Sequence, residues 1–127
     1  MPRIELAAPL LGAMMLVSCG GGQASAPKSV ANIQNITVKS TDQMRFEPST
    51  LTVQANSPVS LTLDNSGAAL AHDFTIDQIG GQKVTVKAQP NSRATIQFTP
   101  AGAGTYQFYC AEPGHKEAGM VGSLIVR

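Results

Sequence analysis

Charged side chains are scarce in this 127-residue sequence: they make up 13% of it, and the formal net charge is only +1. Such a balance gives no reason to expect nucleic acid binding or strong steering by a charged partner. No window sustains the period of a helix, and no apolar run reaches the roughly 20 residues that a membrane-spanning helix needs. These absences favour a single domain built from strands.

Cysteine is also scarce, with only Cys19 and Cys110. Two cysteines in an exported protein would ordinarily suggest a disulfide. Their contexts differ, because Cys19 ends a hydrophobic leader whereas Cys110 lies near other metal-binding side chains. We therefore expect no disulfide, and a domain of this size can bury a core without one.

The first residues have the features of an export signal. Arg3 is followed by a largely apolar run from Leu6 to Val17, which is typical of a signal peptide. The run ends at Leu16-Val-Ser-Cys19, which resembles the lipobox of bacterial lipoproteins. We interpret residues 1–18 as a lipoprotein signal peptide, with cleavage before Cys19 and lipidation of its sulfur. An ordinary secretory signal is the alternative.

Residues 19–32 are expected to form a tether. The stretch from Gly20 to Ser29 is small, polar and without a repeating pattern, which is typical of a flexible linker. Several acyl chains on Cys19 would anchor the protein stably, where a single chain would bind only marginally. The sequence thus predicts an exported domain that is lipid-anchored at the cell membrane and faces the periplasm or extracytoplasmic space.

From residue 33 onward the sequence carries the signals of β-strands. Val59-Ser-Leu-Thr-Leu63 and Lys83-Val-Thr-Val-Lys87 alternate strictly, and Asp64-Asn-Ser-Gly67 marks a turn. Seven to eight short strands at this spacing predict an all-β fold, a Greek-key antiparallel β-sandwich over residues 33–127. In such a sandwich, loops that are distant in sequence can meet at one pole.

One segment concentrates metal-binding side chains. Cys110, His115 and Met120 follow one another at even intervals, C-x4-H-x4-M. A thiolate, an imidazole and a thioether suit copper, and a second imidazole would complete the His2Cys set with a weak axial Met of blue-copper electron-transfer sites. The only other histidine is His72, at the start of a strand-like run.

Each of these residues alone has an ordinary explanation. An isolated histidine such as His72 is more often a surface residue than a ligand. Cys110 alone would most often be an inert buried residue, and Met120 alone would fill the core. Only their combination favours a metal site.

With His72, Cys110, His115 and Met120 in this order along the chain, the sequence resembles the cupredoxin family, which includes plastocyanin, azurin and auracyanin. The resemblance covers residues 33–127, and the ligand spacing behind a lipobox and linker is most similar to auracyanin. It is carried by Phe46-x-Pro48-x-x-Leu51-x-Val53, by His72 with Phe74 after it, and by Phe108-Tyr-Cys-x-x-Pro-Gly-His-x-x-x-x-Met-x-Gly122. It implies a cupredoxin-like sandwich with one type 1 (blue) copper per chain, whose ligands would be His72, Cys110, His115 and Met120.

The resemblance also implies that Ala71, Asp73 and Pro113 surround the ligands. Many cupredoxins have an asparagine where this sequence has Asp73, and a carboxylate can accept hydrogen bonds but cannot donate one unless it is protonated. The backbone N–H of Asp73 is still expected to reach the Cys110 sulfur. Pro113 has no N–H, so it removes one possible donor to the thiolate.

Small or apolar residues flank the two histidines, and Leu70, Pro113, Gly114 and Ala118 are predicted to form a docking patch for a redox partner. The patch would surround an exposed edge of His115. Charges nearby are of both signs, so docking should depend only weakly on salt.

The ligand count limits the function. A second, catalytic copper, as in cupredoxin-based nitrite reductases, normally needs further histidines, and the sequence has only two. We therefore expect a carrier and not an enzyme. The predicted function is that of a mobile, membrane-tethered, monomeric one-electron carrier that cycles between Cu(II) and Cu(I).

Its expected partners are redox proteins of a photosynthetic or respiratory chain, such as a membrane-bound cytochrome complex, a reaction centre or a terminal oxidase. The alternative is a copper-binding chaperone or storage protein outside the cytoplasm, which would use the same soft ligands for Cu(I). A copper-free adhesion or scaffold domain is a third possibility.

Overall fold

The computed structural model describes residues 32–127. The predicted signal peptide, Cys19 and the linker as far as residue 31 lie outside the described residues. Between residues 32 and 127 the chain forms strands, turns and loops, and it contains no helix long and apolar enough to cross a membrane.

Nine strands make up the described part of the chain. In order they are β1 (Gln34–Thr41), β2 (Arg45–Glu47), β3 (Thr50–Val53), β4 (Val59–Asp64), β5 (His72–Ile79), β6 (Gln82–Ala88), β7 (Arg93–Phe98), β8 (Gly104–Tyr109) and β9 (Val121–Val126). The alternation seen in the sequence corresponds to burial: in β4, Val59, Leu61 and Leu63 are buried, and the residues between them are partly exposed.

The strands form two sheets, with the orders β2-β1-β4-β7 and β3-β9-β8-β5-β6. The predicted all-β sandwich is confirmed, but it has nine strands and its sheets are mixed. The pair β1–β4 and the pair β3–β9 run parallel, whereas the other neighbours are antiparallel.

The chain changes sheets at Pro48. This residue separates the three-residue β2, which pairs with β1, from β3, which pairs with β9 in the other sheet. Proline has no N–H with which to continue a ladder of hydrogen bonds, so it suits a point where the chain changes sheets. The chain then returns as β4 beside β1 in the same direction.

Three phenylalanines, Phe46, Phe74 and Phe108, form an aromatic cluster in the core. The ring of Phe108 lies 4.6 Å from that of Phe74 and 5.1 Å from that of Phe46, measured between centroids. Phe74 follows His72 by two residues on β5, and Phe108 precedes Cys110 by two. Because side chains alternate along a strand, this spacing directs both metal-binding residues to the same inner side as the cluster.

Candidate metal centre

His72 is the first residue of β5, and its side chain is 0% exposed. Its ring is oriented by contacts on both of its nitrogens. Nδ1 faces the other metal-binding side chains, whereas Nε2 lies 3.2 Å from the Asp42 Oδ1. A strand therefore fixes the backbone of this histidine, and a carboxylate fixes the far side of its ring.

The loop between β8 and β9 supplies the other side chains, and backbone hydrogen bonds fold it back on itself. The N–H of Cys110 donates to the carbonyl of Met120 at 3.1 Å, and the N–H of Met120 donates to the carbonyl of His115 at 3.0 Å. The N–H of His115 donates to the carbonyl of Glu112 at 3.1 Å. The loop thus brings residues ten positions apart in sequence into contact.

Three potential ligand atoms converge where β5 meets this loop. The Nδ1 atoms of His72 and His115 are 3.2 Å apart, and the Cys110 Sγ lies 3.9 Å from the first and 3.4 Å from the second. These distances place the point equidistant from the three atoms about 2.0 Å from each, close to metal–nitrogen and metal–sulfur bonds of about 2.0 to 2.3 Å. The donors therefore fit a single metal ion.

Met120 completes the predicted set. Its side chain is 0% exposed, and its backbone is hydrogen-bonded to both Cys110 and His115. The structure therefore places all four predicted ligand residues at one pole of the sandwich. Three of them, His72, Cys110 and Met120, are completely buried, whereas His115 is half-buried.

The thiol of Cys110 lies in a dry environment, and its burial raises its pKa. Two backbone N–H groups oppose this effect: that of Asp73, which donates to Sγ at 3.3 Å as the family resemblance implies, and that of Glu112. A thiolate there would need a cation to replace its proton. The site therefore suits a soft metal ion that binds thiolate strongly.

Asp73 connects the two halves of the site through its side chain as well. Its Oδ1 accepts hydrogen bonds from the backbone N–H of Ala111 at 2.8 Å and from the hydroxyl of Thr75 at 2.9 Å. Both bonds need an acceptor only, which is what a carboxylate provides. An aspartate can therefore link β5 to the ligand loop at a position where many cupredoxins have asparagine.

Asp42 is the residue at this site that sequence reasoning missed. It lies in the turn between β1 and β2, 30 positions before His72, and it accepts hydrogen bonds from the N–H groups of Ala69 at 2.7 Å and Leu70 at 3.2 Å. The Ala69 N–H contributes most to lowering the pKa of the Asp42 carboxyl. No spacing rule relates a turn to a ligand in a distant strand, so the sequence carried no signal for this contact.

The predicted docking residues lie at the surface beside the site. Leu70 is 45% exposed, Pro113, Gly114 and Ala118 are exposed, and Ala71 beside His72 is partly exposed. The neighbouring charges have partners of their own: Lys87 forms an ion pair with Glu112 at 2.5 Å, and the Lys116 ammonium lies 4.1 Å from the centre of the Tyr109 ring.

A β-sandwich with a mostly buried His–Cys–His cluster and a methionine beside it defines the class of type 1 copper proteins, and the donor set fits one such copper. The chain belongs to the cupredoxin family: the profile of the cupredoxin-like domain matches residues 10–126. The predicted family is thereby confirmed.

Individual relatives agree with this assignment. The chain is 32% identical over 121 residues to the copper-resistant cuproprotein CopI of Rubrivivax gelatinosus, an alignment that covers 80% of this chain and 72% of that protein. Its fold is similar to that of dithionite-reduced auracyanin from the photosynthetic bacterium Roseiflexus castenholzii, with a TM-score of 0.67 and 21% identity over 74% of this chain and 97% of the other.

The fold is also similar to that of auracyanin A, a blue copper protein of the green thermophilic photosynthetic bacterium Chloroflexus aurantiacus. The TM-score is 0.63, with 22% identity over 76% of this chain and 100% of the other. At these identities the two auracyanins agree with this chain in fold.

Proposed function

We propose that this protein is a one-electron carrier with a single type 1 copper held by His72, Cys110, His115 and Met120. The observation that supports this most directly is the triangle of His72 Nδ1, His115 Nδ1 and Cys110 Sγ, with sides of 3.2 to 3.9 Å, at a mostly buried pole. Copper bound there would supply a one-electron couple between Cu(II) and Cu(I).

The surrounding residues would keep electron transfer fast because they hold the ligands in a fixed arrangement. His72 is fixed by its strand, the ligand loop is closed by backbone hydrogen bonds, and Asp73 links the two. Cys110 would bind as thiolate, and Met120 would be a weak ligand that helps to set the potential. A rigid and dry site limits the rearrangement that accompanies a change in charge.

Electrons would enter and leave at the half-buried edge of His115. The docking patch of Leu70, Pro113, Gly114 and Ala118 is exposed around that edge, and the nearby charges of both signs are partly paired. We therefore expect partner docking to depend only weakly on ionic strength. Rates of electron transfer that fell steeply with added salt would contradict this mode of docking.

The cellular setting is part of the same proposal. Lipidation of Cys19 would tether a monomeric domain to the outer face of the cell membrane, within reach of a membrane-bound cytochrome complex, a reaction centre or a terminal oxidase. The two histidines would both serve one copper, so no enzymatic activity is proposed.

An optical redox titration of the copper-loaded protein tests the carrier function. We expect an intense visible thiolate-to-copper band that disappears on reduction and returns fully on oxidation, in a ratio of one copper to one chain. A protein that stays colourless with Cu(II), or that loses copper in each cycle, would not be a carrier.

The alternative is a role in copper resistance, as a chaperone or store for copper outside the cytoplasm. Its support is the relative with 32% identity, whose name describes a copper-resistant cuproprotein. In this case deletion of the gene would sensitise cells to copper while electron transport continued, and the protein would pass Cu(I) to an acceptor without a reversible blue form. The carrier proposal expects instead that deletion impairs electron transport without sensitising cells to copper, and that the protein has a reversible blue form.

A further inference from the structure

We propose that Asp42 is a positioning residue for the copper ligand His72: it holds the imidazole as the Nε2–H tautomer and favours the oxidised state of the site. The second part of this inference rests on the proposed redox function, whereas the first part concerns the protein with or without metal.

The geometry around His72 assigns a different role to each ring nitrogen. Nδ1 lies 3.2 Å from the His115 Nδ1 and 3.9 Å from the Cys110 Sγ, so it is the nitrogen available to a metal. A metal-binding imidazole is neutral, and its proton must then lie on Nε2, which needs an acceptor. The atom 3.2 Å from Nε2 is the Asp42 Oδ1, and the ring that carries Nε2 is 0% exposed.

The acceptor is itself fixed in place. The N–H groups of Ala69 and Leu70 donate to the two oxygens of Asp42 at 2.7 and 3.2 Å. Carboxylates that are held by backbone N–H groups have little freedom to turn away, and within residues 32–127 the remaining partner of Asp42 is the imidazole of His72. The turn between β1 and β2 is thus joined to the chain segment that leads into β5.

That segment is anchored from its other side by Asn65, whose side chain is completely buried. The amide of Asn65 donates to the carbonyls of Leu70 at 2.8 Å and Gln89 at 3.0 Å, and its oxygen accepts from the Ser40 hydroxyl at 2.6 Å. Asn65 therefore holds the backbone independently of Asp42. This division allows the contact with the imidazole to be altered while the loop keeps a second anchor.

An acceptor that carries a full negative charge does more than orient the ring. A carboxylate behind a ligating histidine makes the imidazole a stronger donor to the metal, and its charge favours the more positive metal ion. Asparagine has nearly the same shape and keeps one oxygen that can accept from Nε2 and from the Leu70 N–H, but it has no charge, and its NH2 group would face the Ala69 N–H. The Asp42→Asn variant consequently removes the charge and the bond from Ala69 while an acceptor for Nε2 remains, and Asp42→Ala removes that acceptor as well.

The tautomer can be measured without copper. Nitrogen-15 NMR of the ring nitrogens in the metal-free protein should show His72 as the Nε2–H form in the wild type and in Asp42→Asn, and as a mixture of forms in Asp42→Ala. Asp77→Asn is the matched control. Asp77 is an exposed carboxylate on β5, the strand that begins with His72, and its described partner is the Tyr109 hydroxyl. A wild-type protein with the proton on Nδ1, or an unchanged tautomer in Asp42→Ala, would overturn the assignment.

The effect on the oxidised state is measured with the copper-loaded variants. Loss of a hydrogen-bonding partner behind a ligand typically costs 10- to 100-fold in metal affinity. If the Asp42→Asn change weakens Cu(II) about tenfold and leaves Cu(I) unaffected, the potential rises by about 59 mV. Asp42→Ala should raise it at least as much, whereas Asp42→Glu should restore part of the difference and Asp77→Asn should leave the potential unchanged.

Equal potentials in the wild type and Asp42→Asn would reject the electrostatic role, and equal shifts in Asp42→Asn and Asp77→Asn would reduce it to a general effect of net charge. These results differ from failure of the carrier function itself. A wild-type protein with no reversible blue form would remove the carrier proposal and the electrostatic role that rests on it, while the NMR result would still decide whether Asp42 positions His72.

Discussion

The two histidines of this chain are built in opposite ways. His72 begins a strand, is completely buried and is held at Nε2 by a carboxylate, whereas His115 lies on a loop, is half-buried and is surrounded by exposed small residues. The imidazole of His72 is therefore held in place, whereas the imidazole of His115 is accessible to a partner protein. The difference suggests a division of labour between holding the metal and exchanging electrons.

The largest effect is expected when each histidine is removed in turn. His72→Gly and His115→Gly should both lose tight copper binding and the visible band. Added imidazole should restore the band in His115→Gly at a concentration at least about tenfold lower, the equivalent of about 1.4 kcal/mol, because that position is open to solvent. Titration of each copper-loaded variant with imidazole measures this, and equal rescue of the two would contradict the division of labour.

The next largest effect concerns the support beneath the loop half of the site. A Cβ added at Gly122 would lie 2.2 Å from the buried Phe108 ring and 2.6 Å from the Ser49 carbonyl oxygen, so Gly122→Ala must displace the aromatic cluster. Such overpacking costs about 1–3 kcal/mol of unfolding free energy. Denaturant unfolding of the metal-free protein measures it.

Gly102→Ala is the control for that change, since its added Cβ would meet only the Tyr106 hydroxyl, at 3.2 Å. It should cost less than Gly122→Ala and leave the visible band of the copper-loaded protein unaltered. If both alanines cost the same, the packing beneath Cys110 would not be the reason for the loss.

A smaller effect is expected at Asp73, which joins the two halves. Asp73→Ala leaves the N–H of Ala111 and the hydroxyl of Thr75 without their acceptor, at a cost of about 1–3 kcal/mol if water does not replace it. Asp73→Asn keeps an oxygen in the same place and should cost clearly less. Denaturant unfolding of the two variants makes the comparison, and an equally large loss in both would show that the negative charge is needed.

The smallest effect is a dependence on pH in the metal-free protein. Because burial raises the pKa of Cys110, the folded state retains its thiol proton at a pH where the unfolded chain has released it. This contribution to stability is complete below the ordinary thiol value of about 8.5 and is lost as pH rises through the folded value. Unfolding measured from pH 7 upward should show the decline in the wild type and a smaller decline in Cys110→Ser.

Much of this fold and site was accessible from the sequence, and the reasons are physical. Alternating apolar residues such as Val59, Leu61 and Leu63 specify a strand with one buried face wherever it lies in a sandwich. Cys110, His115 and Met120 are informative because few side chains bind soft metals and their spacing within one loop is local. His72 could be joined to them because the chain offers no other histidine.

What the sequence did not indicate depends on contacts between distant segments. The parallel pairing of β1 with β4 depends on the path of the chain between them, which changes sheets at Pro48. The alternation of apolar residues within β1 or β4 carries no information about that path. Asp42 is a polar residue in a turn, as many aspartates are, and only the folded chain brings it to His72. The Asp73 carboxylate was identified as unusual, but whether it would find donors could be decided only with Ala111 and Thr75 in place.

The closure of the ligand loop has a consequence for how such a protein can change over evolutionary time. Tyr109 pairs with Val121 across β8 and β9, and the next hydrogen bond, from Cys110 to Met120, seals the ends of the loop. Residues 111–119 are thus an insert in a hairpin whose strands keep their register whatever the insert contains. Insertions or deletions there would change the relative positions of Cys110, His115 and Met120 together. The sandwich and the buried His72 on β5 would remain as they are.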